Sequence, residues 1–373
     1  MLENKKILVL GMARSGYHVA KLLAGNNEIV VTDRCEQKKE LVEELENLNV
    51  KFVQSETGVE LLDNSYDLVI KNPGIAPSHP LVEKANSLGI KIVNEMEVAY
   101  NYLPKNVKII GITGSNGKTT TTTMLYKLLR LHGIDAILGG NIGFPLSEVI
   151  NLVNVNSVLV LEISDHQLYN LDTFKTDISI LTNICPTHLD FHGTYENYKN
   201  TKKKIFNNHT NLDMAIINNK NVDSLEITKD IVSIKEYFNN EVNYYNENGI
   251  YIDNELVISL DDIKIKGEHN YENILATLVV LKNFAFDKET IKKYLNTFNG
   301  VEHRIEIVDS KSKINFYNDS KATNPTSTLT ALKTMVFPTH LILGGMERMQ
   351  DFNELNEYIN KVKCIYSYYS KNQ

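Results

Sequence analysis

The segment VKIIGITGSNGKTTTT, residues 107–122, constrains this chain more than any other stretch. An apolar run of strand length stops at a glycine-rich turn. A helical pattern follows at once, with Met124, Leu125, Leu128 and Leu129 on one face. Strand, glycine turn and helix in that order are the context of a phosphate-binding loop. Glycines let backbone N–H groups turn toward phosphate oxygens, and the helix N-terminus adds partial positive charge. Lys118 is placed to reach terminal phosphates, and the Thr119 hydroxyl to ligate magnesium. The strict pattern GxxxxGK[ST] wants glycine at position 112, where this chain has Ile112; its glycines fall at 111, 114 and 117.

Alternating strand and helix patterns extend through the chain and predict an α/β protein. KKILVLG (5–11), a helical run through Tyr17, Ala20, Leu22 and Leu23, and EIVVTD (28–33) form a βαβ unit. YDLVIKNPGIAP (66–77) repeats the strand-then-turn theme, and Pro104 marks a linker. SVLVLEIS (157–164) and DISILTNIC (177–185) read as further strands, and YENILATLVVLKNF (271–284) as a helix. Asn239 to Asn254, rich in Asn, Tyr and Glu, reads as exposed hairpins outside the core. RIEIV, KINFYND and HLILGG open a third unit from His303. The expected domains are 1–103, 104–302 and 303–373, matching the two or three that 373 residues predict at about 150 residues each. Residues 303–373 supply too few strands for an independent α/β domain, so the third is expected to be incomplete.

The 39 basic and 46 acidic residues leave a net charge of −7, which argues against nucleic acid or a membrane surface as partner. No apolar run approaches the roughly 18 residues of a membrane span. Three cysteines without a CxxC pair suit a reducing cytoplasm better than a disulfide framework.

Other candidates are weaker alone. GMARSG (11–16) misses the middle glycine of the dinucleotide fingerprint. It either accepts a phosphate, with Asp33 on a ribose or base, or is a tight turn packing strand on helix. Glu162 and His188 each follow an apolar strand, where ligand crevices of parallel sheets lie, and such a pair can hold a second magnesium ion. At about 100° per residue, Tyr195, Tyr198, Ile205 and Phe206 share a helix face that includes Lys202, roughly 20° from Tyr195. Lys199 lies near the same stripe, so the arithmetic does not decide between them; Lys203 and Lys204 read as a solvated face. An inward lysine is costly unless paired or chemically altered. HR (303–304) and NDSKATNP (318–325) gather Arg304, Asp319, Lys321 and Thr323, either to bind an anion or as a polar turn.

Taken in order, GITGSNGKTTT, GGNIG (139–143), LEIS, THLD (187–190), GEHNYEN (267–273), EHR and DSKATNP resemble the Mur ligases, and DSKATNP resembles their D-glutamate-adding branch. The resemblance implies an N-terminal Rossmann-like domain for a UDP-substrate, a central P-loop ATPase-like domain and a C-terminal Rossmann-like domain. It implies a cytoplasmic, monomeric ligase that uses ATP and two Mg2+ ions to join D-glutamate to UDP-N-acetylmuramoyl-L-alanine through an acyl phosphate. Gly114, Ser115, Asn116, Gly117, Lys118, Thr119, Thr120, Asn273, Arg304, Asp319 and Lys321 then match ATP-binding positions. Arg14, Ser15, Asp33, Arg34, Gly74, Asn141 and Ser164 match the UDP-substrate site, and Thr323 and Arg348 the D-glutamate site. Thr119, Glu162, His188 and a carbamylated Lys202 match the metal ligands, and Lys118, Glu162, His188 and Lys202 the catalytic set.

Three departures accompany the resemblance. The family follows its glutamate with Ser-Ser-Phe-Gln, and this chain has Ser164, Asp165, His166 and Gln167. Its glycine-pair turn reads GGMERMQDF, with Met346 and Met349 around Arg348. The family's later third-domain residues are not in the sequence, which makes a non-catalytic remnant that still binds nucleotide or UDP-sugar the competing expectation.

Overall fold

The computed structural model describes residues 2–284, 286–336, 338–345 and 352–369. Strands β1 (Lys6–Leu10), β2 (Glu28–Asp33), β3 (Val50–Gln54), β4 (Leu68–Lys71) and β5 (Lys91–Val93) form a parallel sheet in the order β3-β2-β1-β4-β5. Ile7, Val9 and Val31 enter one core while Leu8, Leu10 and Val30 enter another. Burial on both faces is why these strands read as continuous apolar runs. The strand order reverses beside β1, so the GMARSG and Asn72-Pro73-Gly74 turns flank one crevice.

A second parallel sheet holds β6 (Lys108–Thr113), β7 (Ala136–Gly140), β8 (Val158–Glu162), β9 (Ile178–Leu181), β10 (Met214–Asn218) and β11 (Ile234–Phe238), in the order β11-β10-β9-β6-β8-β7. Helices Lys118–Leu131 and Glu268–Leu281 cover one face, where Ile110 and Ile112 meet Leu125, Leu128, Leu275 and Leu278. On the other face Ile109, Leu159 and Leu161 pack with Tyr198, Ile205 and Phe206. The loops after β6, β8 and β9 therefore open together at the carboxyl ends of three neighbouring strands.

One expectation fails here. The segment from Asn239 contributes β12 (Tyr244–Tyr245) and β13 (Gly249–Ile252), paired antiparallel with β14 (Glu255–Ser259). Ile250 is fully buried, and Ile252 and Ile258 join it in the core under helix Glu268–Leu281. The polar composition belongs to one face of this small sheet, and the alternate isoleucines to the other.

Farther along, β15 (Glu306–Lys311) and β16 (Ile314–Asn318) form an antiparallel pair, and β17 (Thr339–Gly345) and β18 (Val362–Tyr369) a parallel one. Helix Pro325–Thr334 begins with an Asn324 cap, whose side chain accepts from the Ser327 N–H. Leu329 and Leu332 pack there against Leu355.

Candidate active site

The phosphate loop sits between β6 and helix Lys118–Leu131. Its glycines have steric causes. Gly114 has φ +147°, and a Cβ there would lie 1.9 Å from Thr182 Oγ1; Gly117 has φ +84°, and a Cβ would lie 2.2 Å from Asn273 Oδ1. Ile112, the departure from the strict pattern, is fully buried inside β6 and belongs to the strand core. Ser115 N–H donates to Asn183 O at 2.8 Å and Asn116 N–H to Asn183 Oδ1 at 3.0 Å, pinning the turn to the loop after β9. The first-turn amides of the following helix have no intrahelical acceptor and are available to an anion at the helix N-terminus. Thr119 is half-buried in that turn, and Thr120 is buried with no partner for its hydroxyl.

Lys118 Nζ donates to Gly114 O at 2.7 Å and Ser115 O at 2.8 Å, so the loop's own carbonyls hold the ammonium. Burial pushes its pKa down, against the charges of Glu162 and Asp165, which raise it.

Glu162 ends β8 and is buried. Asn141 Nδ2 donates to its Oε1 at 2.7 Å, while Oε2 has no hydrogen-bond partner. His188 has φ +52° at the start of the short helix Leu189–His192, a left-handed conformation uncommon outside glycine. That backbone brings its Nδ1 within 3.0 Å of Asp165 Oδ2, which also lies 2.8 Å from His192 Nε2. Burial raises the Asp165 pKa, but the Lys202 charge and the imidazole hydrogen bonds outweigh it and hold the carboxyl well below its ordinary range.

Helix Tyr195–Lys203 resolves the choice among the lysines. Lys202 is fully buried, donates to Gly114 O at 3.0 Å and Thr113 Oγ1 at 3.2 Å, and pairs with Asp165 Oδ1 at 3.4 Å. Burial lowers its pKa to about 7. Lys199 instead pairs with Glu226 at 2.9 Å and Glu196 at 3.1 Å. The expectation of a solvated face at Lys203 and Lys204 needs correction: both are half-buried, and Lys204 Nζ donates to Tyr169 O at 2.7 Å.

A cleft of about 280 Å³ adjoins the loop, lined among others by Asn116, Lys220, His269, Asn273, Arg304 and Asp319. Asn273 is buried on helix Glu268–Leu281, and Thr121 Oγ1 donates to its Oδ1 at 3.4 Å. Arg304 Nε is buried without a partner. Asp319 Oδ1 accepts from Ile305 N–H at 3.1 Å, and burial pushes its pKa up against the Arg304 charge. Lys321 is half-buried, its backbone N–H on His303 O at 3.1 Å, and Thr323 is exposed. Arg348 lies outside the described residues, as do Met346 and Met349.

The expected UDP-side residues are largely engaged with protein groups. Arg14 bridges to the second sheet's unit, pairing with Glu148 at 2.6 Å, donating to Gly143 O at 2.8 Å and lying 4.3 Å from the centre of the Phe144 ring. Asp33 accepts from Met12 N–H at 2.7 Å and Cys35 N–H at 2.9 Å, which ties the GMARSG turn to β2. Asn72 donates to Ser15 Oγ at 3.3 Å and accepts from Gly74 N–H at 3.2 Å. Arg34 and Asn141 are exposed. The Ser164 hydroxyl accepts from Gln167 N–H in a capping box, so helix Asp165–Tyr169 engages it.

Two residues at the centre of the cluster escaped the sequence reading. Asp165 stood out only as a departure, and His192 not at all, although the His188–His192 spacing of four places both on one helical turn. The unpartnered Glu162 Oε2 and Thr120 Oγ1, both buried beside Lys118, fit a cation and phosphate oxygens as missing partners. The residues present therefore suit a magnesium-nucleotide complex.

Residues 5–94 match the family model described as Mur ligase MurD-like, N-terminal domain, and residues 112–281 that of the Mur ligase middle domain. The UDP-N-acetylmuramoylalanine–D-glutamate ligase of Geobacillus kaustophilus is 39% identical over 371 residues, covering 97% of this chain and 82% of that relative. The corresponding ligase of Streptococcus agalactiae is 40% identical over 375 residues, covering 97% and 81%. Among solved structures, UDP-N-acetylmuramate-alanine ligase from Thermotoga maritima superposes with a TM-score of 0.63 at 19% identity, over 99% of this chain and 86% of that one. MurF from Acinetobacter baumannii gives 0.60 at 15% identity, over 96% and 84%, a likeness of fold.

Proposed function

The chain belongs to the Mur ligase family, and we propose that its crevice joins D-glutamate to UDP-N-acetylmuramoyl-L-alanine at the expense of ATP, in peptidoglycan precursor synthesis. The observation that carries this reading is the phosphate loop with half-buried Lys118 held by its carbonyls and facing the charge of Glu162, in a chain 39–40% identical to ligases of that name. Family membership implies ATP and Mg2+.

The first-turn amides and Lys118 hold the transferring phosphate and offset the charge that accumulates on it. Thr119, Glu162, His188 and Lys202 would hold two magnesium ions, whose positive charge would further neutralise the phosphate oxygens. The terminal carboxylate of the UDP-substrate attacks the γ-phosphorus, giving an acyl phosphate and ADP. The D-glutamate amine then adds to the acyl carbon, and the tetrahedral intermediate expels phosphate. With a pKa of about 7, Lys202 is substantially neutral near pH 7 and able to attack carbon dioxide, forming a carbamate and releasing a proton.

Asn273, Arg304, Asp319 and Lys321 serve the nucleotide; Thr323 and Arg348 serve D-glutamate. Arg14, Ser15, Asp33, Arg34, Gly74, Asn141 and Ser164 border the UDP-substrate. Domains 1–103, 104–302 and 303–373 divide these tasks in a cytoplasmic monomer. Among the described residues no helix is long and apolar enough to cross a membrane.

Phosphate release from ATP with UDP-N-acetylmuramoyl-L-alanine, measured with and without D-glutamate, tests the reading. Release that depends on D-glutamate is expected. Nucleotide binding without any release from folded protein would replace the ligase with a binding remnant.

A further inference from the structure

Lys71, the last residue of β4, is only 1% exposed. Leu68, Val69 and Ile70 before it are buried and apolar, as a parallel strand covered on both faces requires. A lysine in the next position is costly, because a fully buried ammonium is rare unless it is paired. No carboxylate among the described residues pairs with this one, and burial alone acts on its pKa, lowering it to about 8. Charge pairing therefore does not explain the residue.

What the ammonium meets is a single turn. Lys71 Nζ donates to Ile75 O at 2.7 Å, Asn72 O at 3.3 Å and Pro73 O at 3.4 Å. Its N–H groups are thus taken by carbonyls of the segment that follows it, and carbonyls turned toward one point need a donor there. The same turn borders the crevice beside β1. Asn72 Nδ2 donates to Ser15 Oγ at 3.3 Å, Asn72 Oδ1 accepts from Gly74 N–H at 3.2 Å, and Gly74 is exposed. On its other side the ammonium lies 5.7 Å from the centre of the Phe191 ring, within cation–π range, and Phe191 N–H donates to His188 O at 3.1 Å. One side chain therefore sets the shape of the turn and its place beside the helix that follows His188.

We propose that Lys71 is a positioning residue for the UDP-substrate, gathering the Asn72, Pro73 and Ile75 carbonyls inward so that Gly74 and the Asn72–Ser15 contact keep the shape the substrate meets. Lys71 acts through the turn and does not touch the reacting atoms. A methionine in its place would suit the buried strand end but would leave the three carbonyls without their donor. The loss should therefore fall on binding of the UDP-substrate and not on the phosphate loop, which lies in the other sheet's unit. The inference rests on the reading of this crevice as the UDP-substrate site.

The test compares wild type with Lys71→Met, which removes charge and donors, and with Lys71→Gln, which keeps an N–H donor. D-glutamate-dependent phosphate release is measured while each substrate is varied in turn. KM for UDP-N-acetylmuramoyl-L-alanine should rise at least about tenfold in Lys71→Met and less in Lys71→Gln, with kcat and KM for ATP within about twofold of wild type. A substitution that only destabilises the chain lowers the folded fraction, and with it kcat, without moving one KM alone. Should circular dichroism show Lys71→Met unfolded, Lys71→Gln carries the comparison. A folded variant with the wild-type KM for the UDP-substrate, or with equal rises for all three substrates, would overturn the proposal. Calorimetry with UDP-N-acetylmuramoyl-L-alanine separates the two readings: no binding by wild type would remove the UDP-substrate site and this inference with it, whereas equal binding by wild type and variants would remove this inference alone.

Discussion

Ser327 Oγ donates a 2.7 Å hydrogen bond to Asn116 Oδ1, tying the start of helix Pro325–Thr334 to the phosphate loop across 211 residues of chain. Asn324 Nδ2 reaches the same oxygen at 3.4 Å. One asparagine thus reports the position of the DSKATNP segment to the loop that holds phosphate. A neutral hydrogen bond is worth roughly 0.5–1.5 kcal/mol, so Ser327→Ala should lower kcat/KM for ATP about two- to tenfold. A double-mutant cycle with Asn116→Ala should give a coupling of about 1 kcal/mol. Additive losses would mean that the contact is not used in turnover.

Lys118→Ala should reduce D-glutamate-dependent phosphate release by at least about 100-fold, the scale of removing one preorganised electrostatic donor. Lys118 Nζ donates to Gly114 O and Ser115 O, so its loss also leaves those carbonyls without that donor. Calorimetry with a non-hydrolysable ATP analogue, alongside a melting curve, separates lost binding from lost folding. Wild-type turnover in the variant would remove the phosphate-loop assignment.

How far the sequence reaches is visible in these same residues. Periodicity placed β1, β2 and the helix after the phosphate loop because their apolar faces are unbroken, and helix arithmetic put Lys202 on the buried side. The arithmetic could not choose between Lys202 and Lys199, because Lys199 is also buried in its stem; its partners Glu196 and Glu226 decide. Ile250 and Ile252 were hidden by polar neighbours that share their strand but not their face. Asp165 illustrates a deeper limit. Its partners come from positions 166, 188, 192 and 202, and only the packing of three helices shows that they meet on one carboxylate.

Glu95 predicts a pH dependence of stability. It is buried where helix Glu95–Tyr100 meets helix Leu146–Val149, and it accepts a hydrogen bond from Ser147 N–H. Burial raises its pKa from 4.5 to about 7. The folded state therefore binds more protons than the unfolded state between these values, and stability must fall as pH rises through that window. The loss is on the order of 3 kcal/mol by pH 8. Glu95→Gln keeps an acceptor for Ser147 and removes the charge. Its melting temperature should exceed that of wild type at pH 8 and converge with it near pH 5. Parallel pH profiles for the two proteins would show that Glu95 is solvated in solution.

Carbamylation of Lys202 should depend on a divalent ion in this chain. Asp165 Oδ1 lies 3.4 Å from the ammonium and stabilises it, whereas a carbamate would set a second anion against that carboxylate. Like charges about 4 Å apart repel by about 4 kcal/mol at an effective dielectric constant near 20, enough to suppress the modification until a cation lies between them. With 13C-bicarbonate, the carbamate resonance should be at least tenfold weaker in metal-free wild-type protein than in the metal-loaded form. Lys202→Ala should lack it under both conditions. In folded Asp165→Ser, the serine of the family pattern removes the opposing charge, and the resonance should appear without metal. Equal carbamate signals in metal-free wild type and Asp165→Ser would show that Asp165 does not control the lysine's chemistry.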